Sequence, residues 1–138
     1  EECISIINTH GKGRPIDDIK PVCKAEDIIN AYSDCEKVVI HPELAAYIVT
    51  LAERTRVFEG VALGLSTRAV LAAVRLARAY AAVKGRDFVT PEDIKYIFPY
   101  TAAHRLILSG GYKHKKGRAE EIIREIMQTV DVPTEEWG

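Results

Sequence analysis

Between Ser66 and Gly85 nothing in the chain interrupts a helix, and each end of that stretch carries a boundary residue. Ser66 is a good N-cap, since its hydroxyl can accept a hydrogen bond from a free amide of the first turn. Gly85 stands where a left-handed closing residue is wanted. Thr67 to Lys84 then spans roughly 27 Å at 1.5 Å per residue, about the width of a small domain. The stretch is apolar almost all round, from Ala69, Val70 and Leu71 to Ala81, Ala82 and Val83. Such a helix is expected to be buried on most sides, with the other elements arranged about it. Arg68, Arg75 and Arg78 are the exceptions, and they fall in a stripe roughly 80° wide at 100° per residue. Leu71 and Val74 are expected on the side away from that stripe, buried.

Arg68 is out of place on stability grounds. Near the second position of a helix the dipole disfavours a cation by about 0.3–1 kcal/mol. The same helix end offers unpaired amides that suit an anion, and an arginine beside them adds a planar, permanently charged fork for phosphate oxygens. Two readings stand on position alone: a solvated or carboxylate-paired arginine, or a phosphate ligand.

The rest of the chain reads as shorter helices. Glu2 to Thr9 is a periodic segment with Cys3, Ile4, Ile6 and Ile7 expected inward, followed by a Gly- and Pro-containing loop from His10 to Pro15. Ala25 to Ser33 reads as a helix broken at Asp34-Cys35-Glu36, and Lys37 to Ile40 as an extended piece. Pro42 opens a helix running to about Arg56, with Leu44, Tyr47, Ile48, Leu51 and Ala52 at helical spacing. Val57 to Leu63 reads as a loop anchored by Phe58. Thr90-Pro91-Glu92-Asp93 is a helix start with a cap, a proline at the first position and two acids. Pro99 is expected to end or kink that helix, and a second piece runs from Tyr100 to about Leu108. Ser109 to Gly117 is a basic loop, Arg118 to Val130 an amphipathic helix, and Trp137 lies near the end. The expected fold is all-α, a bundle of five or six helices with one very short ribbon from Val38–Ile40 and Phe88–Val89.

The run from Leu63 to Leu106 resembles the C-terminal lid domain of MoxR-type AAA+ ATPases. The resemblance rests on Gly64, Ser66 and Arg68, on Gly85-Arg86-Asp87, on Val89, Pro91 and Asp93, and on His104-Arg105. The upstream Tyr47-Ile48-Val49 and Thr55-Arg56 are also similar to that family. It implies one lid domain over 1–138 and a lid function in a longer ATPase, coupling ATP binding and hydrolysis to chaperone-like remodelling or assembly of protein complexes. Arg68 corresponds by resemblance to the sensor-2 arginine, with Ser66 and Thr67 as further nucleotide-binding residues and Arg56 and Arg75 as candidates near the nucleotide or a neighbouring subunit. ATP and Mg2+ are the parent's implied cofactors, with none bound by the fragment alone. The implied partners are the ATPase base domain of the same chain and neighbouring subunits of a hexameric ring. The client is unknown.

The residues themselves narrow this little further. No Gly, four residues, Gly-Lys-Ser/Thr phosphate loop is present, so the fragment by itself is not expected to be an enzyme, while the parent is. His10, His41, His104 and His114 have no metal-ligand spacing with the cysteines, so no metal site is expected. Three cysteines cannot all pair within one chain, which favours reduced thiols and a cytoplasmic protein. No apolar run approaches the roughly 20 residues of a membrane span. The net charge is −1, and the Lys113 to Lys116 cluster has one aromatic neighbour, Tyr112, so a solvated loop is preferred over nucleic-acid binding. A chain beginning at Glu1 reads as an excised fragment. The alternatives are the lid of a magnesium-chelatase or replicative-helicase relative, and a free-standing helical adaptor for protein or nucleic acid.

Overall fold

The computed structural model describes residues 2–10 and 19–133. The expected loop residues 11–15 and Trp137 lie outside them. The chain divides into two compact units, 1–31 and 32–138. The first holds α1 (Glu2–His10) and the start of α2 (Ala25–Lys37). Then follow α3 (Pro42–Val57), β1 (Val61–Leu63), α4 (Thr67–Val83), α5 (Pro91–Ala102), β2 (Ile107–Leu108) and α6 (Arg118–Thr129). The fold is all-α, with six α-helices and one small sheet among the described residues.

Ile4, Ile6 and Ile7 of α1 are exposed, as is Cys3, against the inward face expected for them. A nine-residue helix within a 31-residue unit has too little chain around it to cover an apolar face. The helix α2 does not break at Asp34-Cys35-Glu36 but continues to Lys37. None of those residues is Gly or Pro, and Asp34 accepts a hydrogen bond from Lys37 one turn on, at 2.8 Å.

The core of the second unit is built from Leu44, Ile48 and Leu51 of α3, Ile94 and Phe98 of α5, and Ile122, Ile123 and Ile126 of α6, all essentially inaccessible. The helix α4 joins it through Ala69, Ala73, Ala77 and Ala81, one residue every four. Small side chains at that spacing let α4 and α5 approach closely. This corrects the expectation of a helix buried on most sides: Leu71 is 53% exposed, and Val74 is only partly buried. At 100° per residue Leu71 falls inside the stripe of Arg68, Arg75 and Arg78, and the four alanines lie opposite it, so the seam is made by the smallest side chains and Leu71 stands clear.

The expected ribbon between Val38–Ile40 and Phe88–Val89 is present as a single parallel bridge of Val39 with Phe88, the Val89 amide donating to the Val39 carbonyl at 2.9 Å. A second pairing is unexpected: a two-stranded antiparallel sheet joins β1 to β2. The β1 stretch read as loop because three residues carry no detectable period. Pro99 does not stop α5, which runs on to Ala102 before a 3-10 turn at Ala103–Arg105. Proline costs one amide bond in mid-helix, and here the helix tolerates it. The basic loop after Ser109 contains a 3-10 turn at Gly110–His114. Gly60, at φ +85°, closes against its Tyr112 ring.

The entry to α5 is the most heavily bonded junction. Thr90 and Asp93 form a capping box, with the Thr90 amide donating to Asp93 Oδ2 at 2.8 Å and the Asp93 amide donating to Thr90 Oγ1 at 3.3 Å. Arg86 adds two parallel bonds to the Asp93 carboxylate, at 2.6 and 2.7 Å. Burial pushes the Asp93 carboxyl up, but the bonds from Arg86 and Thr90 outweigh it and hold the group below its usual value. The sign follows: the pair's contribution is whole above the unfolded carboxyl's value of about 4 and is lost as pH falls through the lower folded value.

Arg86→Ala should therefore cost about 3 kcal/mol in urea unfolding at neutral pH, because it leaves a buried carboxylate short of two donors. That deficit should shrink on acidification. In the α4 seam, Ala77→Leu should destabilise by about 1–3 kcal/mol through overpacking. Leu71→Ala should cost under about 1 kcal/mol, since Leu71 is already half in solvent.

Candidate functional site at the start of α4

The backbone entering α4 is fixed from behind by the last turn of α3. Thr55 is fully buried there, and its Oγ1 donates to the Ala52 carbonyl at 2.5 Å and accepts from the Leu65 amide at 2.8 Å. Arg56 Nε donates to the Leu65 carbonyl at 3.0 Å. Both polar groups of Leu65 are thus held by side chains of one dipeptide. Gly64 fits because it has no side chain: an added Cβ would stand 2.7 Å from both the Arg56 nitrogen and Thr55 Oγ1.

Beyond this clamp the helix end is open. Ser66 occupies the N-cap position with extended backbone (φ −85°, ψ 165°), but its hydroxyl makes no capping bond, contrary to the sequence expectation. Its carbonyl does accept from the amides of Ala69 and Val70 at 2.9 and 3.2 Å. The amides ahead of these have no capping side chain, and the first turn carries no acidic residue. Ser66, Thr67 and Arg68 are all exposed. Arg68 makes no hydrogen bond or ion pair with any described residue, so the carboxylate-paired reading of it has no support among them. An uncapped helix end with a free guanidinium and no neighbouring acid suits phosphate oxygens, both by the dipole and by donor count.

Arg56, Ser66, Thr67 and Arg68 are brought to one end of α4. Arg75 is exposed on the same helix face, about 10 Å further along at 1.5 Å per residue. Arg56 spends one donor on Leu65, which makes it a positioning residue for the site while the rest of its guanidinium stays accessible. Thr55 is the residue whose role the sequence reading missed. Its signal was phase: it follows Ile48 by seven and Leu51 by four, on the buried stripe of α3. No group of three or more His, Cys, Asp or Glu side chains among the described residues could hold a metal ion. No helix there is long and apolar enough to cross a membrane.

The AAA lid domain family model matches residues 53–126, and the chain belongs to that family, as a lid of the MoxR type. It is 36% identical over 134 residues to the uncharacterised protein YeaC of Bacillus subtilis, covering 97% of this chain and 42% of that protein. It is 30% identical to the chaperone MoxR1 of Mycobacterium tuberculosis, over 83% of this chain and 33% of the relative. A crystal structure of a protein assigned as an ATPase, from Cytophaga hutchinsonii, superposes with a TM-score of 0.62 at 31% identity, over 74% of this chain and 34% of the other. The chain thus spans less than half the length of these relatives.

Thr55→Val keeps the shape but leaves the buried Leu65 amide without an acceptor, and should cost about 1–3 kcal/mol in a urea melt. Ser66→Ala should be within about 0.5 kcal/mol of wild type, because the lost hydroxyl caps nothing; a working N-cap would cost about 1 kcal/mol.

Proposed function

We propose that residues 1–138 form the C-terminal lid of a longer MoxR-type AAA+ ATPase, which uses ATP and Mg2+ for chaperone-like remodelling or assembly of protein complexes. Arg68 is the phosphate-sensing arginine in this reading, and Thr67 and Ser66 lend their backbone amides to the same anion. The observation that carries it is the state of Arg68: charged, exposed, unpaired among the described residues, and set at a helix end where its own charge is disfavoured. A residue placed against the dipole gains from an anion brought to it. Nucleotide and magnesium would be held chiefly by the base domain, since this chain has no phosphate loop. The lid's part is to bring a fixed positive fork to the phosphate when the two domains close. Arg75 and Arg56 lie close enough to serve the same nucleotide or the adjoining subunit of a ring. MoxR1, 30% identical, is named a chaperone, which supports the remodelling role here.

The test pairs two measurements on Arg68→Ala and Arg68→Lys. Thermal melts of the chain should match wild type or rise slightly, by a few tenths of a kcal/mol, as the dipole conflict is relieved. Steady-state ATPase of the full-length protein should fall at least tenfold for the alanine variant, and lysine should rescue poorly because a point charge cannot supply the bidentate fork. Wild-type turnover by the full-length alanine variant refutes the sensor role. Unfolding of the chain by that substitution makes Arg68 structural. The 138-residue chain alone should show no magnesium-dependent ATP turnover above the Arg68→Ala control.

A further inference from the structure

A ridge of tyrosines crosses the far end of the α4–α5 pair. Tyr80 of α4 stacks on Tyr96 of α5 with ring centroids 4.8 Å apart, and Tyr96 meets Tyr100 one turn later at 5.7 Å. Tyr96 is 54% exposed and Tyr100 68%. Tyr80 packs partly against the core, but Tyr96 and Tyr100 stand mostly in solvent, so core packing is a weak reason for those two to be there. Beside the ridge runs a groove of about 450 Å3 whose lining includes Lys95, Tyr96, Tyr100, His104, Glu120 and Arg124. Glu120 also lines the next depression, where Lys113, Lys115 and Arg118 stand. The Lys84 ammonium lies 5.4 Å from the Tyr80 ring centre.

The charge on this face leans positive. Lys84, Lys95, Lys113, Lys115 and Arg124 are set against Glu92 and Glu120, the contact from Glu92 to Lys95 being a loose, exposed 3.6 Å, while Glu121 and Glu125 are engaged by Arg118 at 3.2 and 2.6 Å. The chain as a whole is slightly negative, so the positive face is a local concentration. The ring faces decide what it suits. Tyr96 is flanked by Tyr80 and Tyr100, Lys84 approaches Tyr80, and Tyr112 has Lys115 and Arg118 over it at 5.6 and 5.5 Å. Successive nucleobases need a run of open ring faces to stack on, whereas here Tyr80, Tyr96 and Tyr112 each carry a ring or a cation against them and Tyr100, 68% exposed, is the open one on this face. Phenol hydroxyls, ring edges and ammonium groups remain, which are donors and apolar edges for an extended acidic chain.

We propose that this face, formed by the end of α4, the outer side of α5 and the start of α6, binds an extended acidic segment of a partner protein. The assignment is independent of the nucleotide role of Arg68, which sits at the opposite end of α4.

Fluorescence anisotropy of the 138-residue chain with three labelled probes tests it: a Glu-rich peptide containing one Phe, its Lys-for-Glu counterpart, and an oligothymidylate. The Glu-rich peptide should bind saturably and weaken as salt is raised. Lys95→Glu with Arg124→Glu should weaken it at least tenfold, and Tyr96→Ala with Tyr100→Ala at least fivefold, while Lys37→Glu on α2 leaves it unchanged. All the substituted side chains are exposed, so melts of the variants should stay near wild type and show that fold is not the cause. The proposal is overturned if the Glu-rich peptide fails to bind, or binds all variants alike. It is equally overturned if Lys37→Glu weakens it as much. Tighter binding of oligothymidylate that is lost with the tyrosines would reassign the face to single-stranded nucleic acid.

Discussion

Everything at the Arg68 end of α4 depends on two hydrogen bonds to one residue. Leu65 gives its amide to Thr55 and its carbonyl to Arg56, so the turn into α4 cannot shift without breaking bonds at the end of α3. The amide bond is buried, where an unmade partner costs more than in water. Because Leu65 supplies its own backbone to the clamp, the next residues are left with their amides facing out. The open helix end is therefore positioned by bonds made on the other side of the chain. Rigid placement and free donors coexist because different residues provide them.

A second lock, at the opposite end of α4, works by charge. Arg86 grips Asp93 with both arms while Thr90 and Asp93 cap α5, so one carboxylate holds the α4–α5 connection and the α5 entry together. Between the two locks lies the alanine seam. The bundle thus fixes α4 at both ends with polar bonds and along its length with close apolar packing. Its outer face is left to arginines and to the half-exposed Leu71 and Leu76. The domain spans a third to two fifths of its relatives' length.

The strongly patterned parts were legible in the sequence. The boundaries of α3 and α4 and the start of α5 follow from Pro42, Ser66, Gly85 and Thr90-Pro91, each a residue with a mechanical reason to be at a helix end. What escaped were facts of partnership. The alanine seam is not among them: at 100° per residue Ala69, Ala73, Ala77 and Ala81 lie opposite Arg68, Arg75 and Arg78, whereas Leu71 shares the arginines' side, so its expected burial ran against the helical phase. Asp34 to Glu36 are weak breakers outvoted by helix continuation. The pairing of Val61–Leu63 with Ile107–Leu108 links residues more than forty apart, beyond the reach of local pattern. At the site, Arg68 was visible as a charge in the wrong place. Thr55 was not, since nothing local announces that a threonine will hold an amide ten residues on.

The alanine seam has a mechanical consequence. Alanine has no rotatable side-chain bond, so a helix joined to its neighbour through Ala69, Ala73, Ala77 and Ala81 has no rotamers to rearrange when it is pushed. A seam of leucines would yield by switching conformers and would dissipate a small displacement along its length. This one has no such slack. A tilt imposed at the Arg68 end is handed to the Tyr80 end, about 18 Å away by helical rise, as motion of a stiff rod.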